Sequence, residues 1–242
     1  MKKTLAILSA LLIFSSCVTR QPEGQESAAE EPLAIETPAN PTEKAARNNA
    51  AISASSVNII QFDEPGPDDL IAVITTSEGE IKVRLFEEHA PKTVAAFAGL
   101  VKNEFYDEQR FTAVAPGYKI ECGVTGDAAS PFPGEREFSL NLWNFRGAVS
   151  LTNNGADFMI VQAPQCLNPR SELEALNFPE KVIDMYIDMG GAPHQDWQNT
   201  VFGAVLSGME VVDKIAASPA DEDGSLVNPV VITKIQITTI EE

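Results

Sequence analysis

Residues 71–86 read IAVITTSEGEIKVRLF, and their apolar side chains fall on every second position: Ile71 and Val73, then Ile81, Val83 and Leu85. A period of two puts one set of side chains on one face of an extended chain. The polar Ser-Glu-Gly-Glu segment between the two runs turns the chain back, so the stretch must form a β-hairpin with one face to bury. Similar patterning recurs downstream. Two short apolar runs flank a Pro-Gly turn within residues 111–123, residues 147–153, 157–163 and 199–208 are strand-like, and residues 229–240, PVVITKIQITTI, form a long alternating run. The total is about eight strands joined mostly by tight turns, which favours antiparallel pairing. Closing such a sheet into a barrel removes its exposed edges.

Helical patterns are few. Pro91 suits a first helical turn, and Val94, Phe97, Leu100 and Val101 then share one stripe. Residues 209–217 are amphipathic, with Val211, Val212 and Ile215 on one side. These two helices can plug the open ends of a barrel. Residues 171–190 read as a helical insertion: Ser171 and Glu174 make a capping box, Pro179 opens a second helical stretch, and Gly190-Gly191 end it. Met185, Tyr186 and Met189 within it are read as core contacts.

The first 66 residues are different. Lys2 and Lys3 precede an apolar run over residues 4–14, too short to span a bilayer comfortably, and Ser15 and Ser16 lead into Cys17. This resembles a bacterial lipoprotein signal, so residues 1–17 are expected to serve as signal, with Cys17 carrying the lipid anchor. The implied location is the bacterial cell envelope, tethered to a membrane and facing the periplasm or the surface. Residues 18–66 are expected to be a disordered tether, because a stretch this rich in Ala, Glu, Pro, Ser and Asn buries too little apolar surface to offset chain entropy. A short helix over residues 42–51 would have nothing to pack on. The folded domain is placed at residues 67–242.

With 5 of the 17 basic and 6 of the 35 acidic residues lying in residues 1–60, the remainder carries 12 against 29. So acidic a surface repels phosphate backbones, which argues against nucleic acid as a partner. His89 and His194 are the only histidines, and no Cys/His pair has metal-ligand spacing, so no metal and no cofactor is expected. Outside the cytoplasm Cys122 and Cys166 can pair as a disulfide or remain separate thiols; sequence leaves both open. Neither histidine lies near a G-x-S-x-G stretch, which removes a hydrolase triad. Glu121 and Asp157 as a catalytic carboxylate pair is disfavoured by the neighbouring Lys119, since such clusters are ordinarily ion-paired.

The order of motifs then becomes informative. A hairpin is followed by APKTV with Phe97 and Leu100, by Phe105-Tyr106, by Phe111, Val114, Pro116-Gly117, Ile120 and Gly123, and by GAVSLTN with a later Gly155. Phe158-Met159-Ile160, TVFG with VVDKI, and a terminal strand complete it. In order and spacing this resembles the cyclophilins, the cyclosporin-binding prolyl isomerases, over residues 71–240. The resemblance implies a mainly β fold: a closed eight-stranded antiparallel β-barrel capped by two α-helices.

It also implies an activity. Rotation about an X-Pro bond is opposed by a barrier of ~18–20 kcal/mol from amide resonance. A catalyst needs no nucleophile, only an apolar pocket for the proline ring and a hydrogen-bond donor for the twisted nitrogen. In the family that donor is an arginine, assisted by two glutamines, beside a pocket of phenylalanine, methionine and leucine with a tryptophan and a histidine at the rim. In this chain Phe111 is kept, Thr112 stands at the histidine of the motif, and Ala113 stands at the catalytic arginine. Glu121 and Asp157 replace the two glutamines. The substrate groove is assigned to Phe111, Tyr118, Lys119, Asn153, Phe158, Met159, His194, Gln195 and Asn199, with Lys119 for the pocket methionine and Gln195 for the leucine. His194 takes the rim tryptophan position and Asn199 the rim histidine.

Expected, then, is a prolyl isomerase of exported proteins, weak or inactive because position 113 is Ala; the alternative is a non-catalytic module that binds proline-containing or unfolded segments. Lys119 either substitutes for the missing cation or simply pairs with Glu121 or Asp157. Cyclosporin binding is expected to be poor, and a monomer is expected.

Overall fold

A computed structural model of the chain describes residues 46, 48–52, 56–123, 135–152 and 156–240. The expected signal segment with Cys17, and Asn153 of the assigned groove, lie outside the described residues.

Eight strands among the described residues close a barrel in the order β1-β2-β7-β5-β6-β4-β3-β8, with every neighbouring pair antiparallel. They are β1 (Leu70–Thr76), β2 (Gly79–Leu85), β3 (Arg110–Ala115), β4 (Lys119–Gly123), β5 (Ala148–Leu151), β6 (Phe158–Val161), β7 (Thr200–Ser207) and β8 (Ser225–Thr239). The alternation read from sequence sets the two faces. Ile74, Ile81, Phe111, Ile120, Phe158, Ile160 and Phe202 are all buried in one core cluster. Helix α1 (Pro91–Lys102) adds Phe97 to it, with ring centroids 5.3 Å from Phe202 and from Tyr106 and 6.0 Å from Phe158. Edge-on and tilted ring contacts of this kind add to the area buried. Helix α4 (Met209–Ala216) turns Val211, Val212 and Ile215 into the same cluster.

Helix α1 lacks a capping side chain of its own, since Ala90 stands at its N-cap. Glu137, 44 residues downstream of Thr93, takes the role: its carboxylate accepts from the Lys92 N–H at 3.0 Å, the Thr93 N–H at 2.7 Å and the Thr93 hydroxyl at 2.7 Å. These N–H groups have no partner inside the helix, and a negative charge suits the positive end of the helix dipole. Glu137→Ala is expected to cost about 1–2 kcal/mol in a denaturant melt, the range of a lost cap.

The insertion contains helices α2 (Arg170–Ala175) and α3 (Glu180–Met189). The capping box expected at Ser171 and Glu174 is not formed. Pro169, with φ −66° and ψ 150°, occupies the N-cap, and the helix starts at Arg170, so Ser171 already lies inside the first turn. Gly190 ends α3 at φ +82°, a region a side chain would strain. Leu173, Phe178, Val182, Ile183 and Tyr186 pack with Trp143, Phe145 and Trp197 into a second cluster. Met185 lies against that cluster, whereas Met189 is 40% exposed and is not a core contact.

The second cluster also overturns part of the expected tether. Val57 and Ile59 are buried in it. Gln61 is 5% exposed: its side-chain amide donates to the Trp143 carbonyl at 2.8 Å and its side-chain oxygen accepts from the Trp143 N–H at 2.7 Å. Residues 48–51 are helical, and Asn49 donates to the Leu176 carbonyl and accepts from the Trp197 indole N–H, each at 3.0 Å. The strap before β1 is held by apolar burial at Val57 and Ile59 and by these hydrogen bonds together, and composition is blind to the hydrogen bonds.

Cys122 and Cys166 are free thiols, the first buried and the second half-buried.

Candidate active site

The register of five neighbouring strands builds the site. Ala113 of β3 pairs with Glu121 of β4, Glu121 with Met159 of β6, Met159 with Ser150 of β5, and Ser150 with Val201 of β7. Paired residues project to the same side of a sheet, so these five form one row across the outside of the barrel. Lys119, two residues from Glu121, shares that face and is paired with Ala115 and Val161.

Met159 is the floor. It is 1% exposed and packs with Phe86, Leu142, Val161, Ala192 and Val201 in a third apolar cluster, against which Tyr118 also lies. The rim stands around it. Tyr118 and His194 face each other with ring centroids 5.0 Å apart. The Gln195 side chain hydrogen-bonds the Tyr118 hydroxyl. The Asn199 amide donates to the Gln195 side-chain oxygen at 2.6 Å, and Arg136 donates to the Asn199 side-chain oxygen at 3.4 Å. The sequence-assigned residues Tyr118, Met159, His194, Gln195 and Asn199 are therefore brought together, with Lys119 and Glu121 beside them.

Phe111 and Phe158 are not groove residues. Both are almost fully buried inside the barrel, their rings 6.0 Å apart and edge to face. The cause is the pleat: Phe111, Cys122 and Phe158 form an inward row, while the next pairs, Ala113–Glu121 and Glu121–Met159, face out. A register shift between Phe111 and Ala113 absorbs Thr112 as the extra residue. Phe111 shapes the strand that carries Ala113 without lining the site.

Three further residues position the rim, and no local pattern announces them. The turn at Pro116-Gly117 presents Tyr118. It is held by Gln162, whose side-chain oxygen accepts from the Gly117 N–H at 2.9 Å. The Tyr118 carbonyl accepts from the Gln162 and Ala163 N–H groups at 2.7 and 3.0 Å. Gln162 in turn donates to Asp213 of α4 at 2.7 Å, and Asp213 takes Arg146 in a two-pronged ion pair at 2.7 and 2.9 Å. These partners lie 51 and 67 residues apart in sequence, so only the closed barrel reveals them.

The charges near Ala113 are tied together. Lys119 forms an ion pair with Glu121, and its ammonium sits 5.6 Å from the centre of the Tyr118 ring. Burial first, and the Glu121 charge second, push the Tyr118 hydroxyl up to about 12, so it remains a neutral donor. Burial pulls His194 below its ordinary value, with Lys119 adding to the effect and Glu172 opposing it; the ring is a neutral imidazole at neutral pH. Asp157 lies just before β6, its carbonyl accepting from the Thr152 N–H at 3.0 Å and hydroxyl at 3.2 Å. Its charge adds to burial in holding the Cys122 thiol well above the usual range, which makes that thiol a poor nucleophile. The arrangement offers an apolar floor, neutral hydrogen-bonding groups around it, the Arg136 guanidinium at Asn199 and the Lys119–Glu121 ion pair. That suits holding a peptide segment.

Comparison with known proteins bears on this geometry. The family model described as "Cyclophilin type peptidyl-prolyl cis-trans isomerase/CLD" matches residues 71–237. A Staphylococcus aureus (strain USA300) protein named "Putative peptidyl-prolyl cis-trans isomerase" is 34% identical over 183 residues, 70% of this chain and 92% of that one. A Streptococcus pyogenes serotype M6 protein, "Putative bifunctional phosphatase/peptidyl-prolyl cis-trans isomerase", is 36% identical over 177 residues. That match spans 68% of this chain but only 38% of the streptococcal protein. Among solved structures, the Cryptosporidium parvum cyclophilin-type peptidyl-prolyl cis-trans isomerase superposes with a TM-score of 0.55 at 19% identity, covering 72% of this chain and 99% of that one. The same protein crystallised in the presence of the dipeptide Ala-Pro gives 0.54, also at 19% identity, over 70% and 99%. At that identity the structural likeness speaks for the fold.

Proposed function

The chain belongs to the cyclophilin-type peptidyl-prolyl cis-trans isomerase family, and on that premise we propose that it binds X-Pro segments of exported proteins over Met159 and accelerates their cis-trans exchange only weakly. One observation carries the second half of this reading. Ala113, at the position where the family resemblance implies an arginine donor, faces Glu121 across the strand pair. A methyl group cannot donate to the twisted imide nitrogen, and a carboxylate opposite it disfavours the electron density that develops there. Lys119, which shares that face, is committed to Glu121. A lysine also lacks the fixed fork with which a guanidinium holds its geometry. Attachment to the cell envelope through lipid on Cys17 is part of the proposal, supported by the basic start, the short apolar run and the small residues before that cysteine.

A second reading, a peptide-binding module without catalysis, draws on Gln195. Its amide is bound to Tyr118 and Asn199 at the pocket mouth, where the family resemblance implies an apolar leucine.

Exchange spectroscopy on a short X-Pro peptide tests both. The expected result for the unmodified chain is a small acceleration that Lys119→Met leaves unchanged or raises, because the substitution adds apolar surface to the groove and removes no donor that the reaction uses. Strong acceleration that collapses with Lys119→Met would identify Lys119 as a replacement donor and overturn the weak-enzyme reading. Peptide-induced shifts at Met159 without any acceleration would leave the binding module standing alone.

A further inference from the structure

The rim residues His194, Gln195 and Asn199 belong to a short segment that begins as a 3-10 turn at Pro193–Gln195. Within it the Gln195 N–H donates to Ala192, the Asp196 N–H to Pro193, and the Gln198 and Asn199 N–H groups to Gln195, while the Gln198 side chain donates to the His194 carbonyl and the Asn199 amide to the Gln195 side chain. Trp197, buried in the second cluster with its indole N–H donated to Asn49, and Arg136, which donates to Asn199, help fix it to the body of the protein, and between the rim residues a buried carboxyl group adds a third hold. Asp196 is 6% exposed. One of its oxygens accepts from the Asn144 backbone N–H at 2.9 Å and from the Asn144 side-chain amide at 2.8 Å. The other accepts from the Tyr186 hydroxyl of α3 at 2.5 Å. The chain of contacts continues to the groove floor: Ser150, paired in register with Met159, donates to the Asn144 side-chain oxygen at 2.7 Å. Tyr186, Asn144 and Ser150 are themselves fully or almost fully buried. A cavity of about 10 Å³ touches Asp196, Asn144, Asn199 and Glu137, about the space one water molecule needs.

We propose that Asp196 is a positioning residue for the groove: its buried carboxyl group, held by Tyr186 and Asn144, sets the rim formed by His194, Gln195 and Asn199 and so couples peptide binding to the helical insertion. The proposal rests on the peptide-binding reading of that groove. A buried carboxylate is tolerable only where its hydrogen bonds are satisfied, and here all three donors converge on the ionised form. A protonated Asp196 would place a fourth hydrogen among them, in competition with the Tyr186 hydroxyl, and the 193–199 segment would have to shift.

The same burial makes the hold sensitive to pH. Desolvation pushes Asp196 up to about 7, and the hydrogen bonds from Tyr186 and Asn144 act against that rise. The ionisable groups around it are Tyr186 on α3, Cys166 before α2, Glu137 across the cavity and His194 on its own segment. Burial holds Tyr186 and Cys166 in their neutral forms at neutral pH, and Glu137 is engaged at the end of α1. His194 is the one competitor, and its titration lies below the ordinary histidine range.

The test follows the side-chain amides of Gln195 and Asn199 by NMR between pH 5 and 9, with and without a short Ala-Pro peptide. The expected result is a titration centred near 7 that survives His194→Gln and disappears in Asp196→Asn. In Tyr186→Phe it should move to higher pH, because a bond that favours the ionised form is gone. Peptide affinity should rise several-fold through the same interval in the unmodified chain and stay flat in Asp196→Asn. A titration that persists in Asp196→Asn, or vanishes in His194→Gln, would overturn the assignment. Rim amides that titrate as expected beside a pH-independent affinity would overturn the coupling to binding. Failure of the peptide to bind at any pH counts against the groove reading, while the amide titration still decides whether Asp196 holds the rim.

Discussion

The double substitution Ala113→Arg, Glu121→Gln is expected to raise the rate of prolyl isomerisation about 10²-fold over the unmodified chain, the low end of what one preorganised donor contributes to a transition state. The floor and rim are already in place, so the missing element is a hydrogen-bond donor aimed at the imide nitrogen. Position 113 can accept one: Ala113 is half-buried on the outer face, with no bulky side chain directly across from it except Glu121. The second change matters because of that partner. A guanidinium at 113 would meet the Glu121 carboxylate in a charge-assisted pair, which is strong and would turn the donor away from the substrate. Glutamine keeps the length, removes the charge and releases Lys119 from its ion pair. Ala113→Arg alone is therefore expected to gain much less than the double variant, and Glu121→Gln alone close to nothing. The excess of the double over the sum of the singles, in free energy, measures the coupling between the two positions. Exchange spectroscopy on an X-Pro peptide at fixed enzyme concentration gives all four rates. Equal rates for the four proteins, with peptide still bound over Met159, would show that the donor position is not at 113.

The barrel was legible in the sequence because period-two alternation survives wherever one face of a strand is buried. The hairpin at 71–86, the inward row and the stripe on α1 all follow from it. The site was half legible. Matching residues to roles picked out Ala113, Glu121, Met159 and the rim residues, which the barrel gathers on one outer face. It also put Phe111 and Phe158 in the groove, since order in sequence does not say which way a pleat faces or where a bulge adds a residue. Gln162, Arg146 and Asp213 were invisible for another reason: their contacts exist only once β6 and α4 meet. The capping box at Ser171 lost to Pro169, one local signal displacing another by a single residue. Asp196 carried no signal beyond its position between two rim residues, because its importance comes from burial that only the folded insertion supplies.

Gln61→Ala is expected to destabilise the chain by about 2–4 kcal/mol, because it strips both the N–H and the carbonyl of Trp143 of their partners, and each buried orphan costs about 1–3 kcal/mol. For a folded unit of this size that corresponds to a melting temperature lower by about 5–10 °C. Gln61 is one of the polar residues of a segment that composition assigns to a tether, so the size of the loss decides whether the strap is part of the fold. Asn58→Ala is the control: Asn58 is exposed, and it is its backbone N–H that donates to the Asn141 side-chain oxygen, at 3.0 Å. It should melt within about 1 °C of the unmodified chain, as exposed substitutions do. The effect of Gln61→Ala should also reach the groove. Trp143 precedes Asn144, whose backbone and side chain both hold Asp196. A strap that loosens Trp143 therefore loosens the rim, and peptide affinity should fall along with stability even at temperatures far below the melt. Equal melting of Gln61→Ala and Asn58→Ala would mean that the strap does not hold Trp143 in solution. A large loss of stability with unchanged peptide affinity would mean that the rim stands without it.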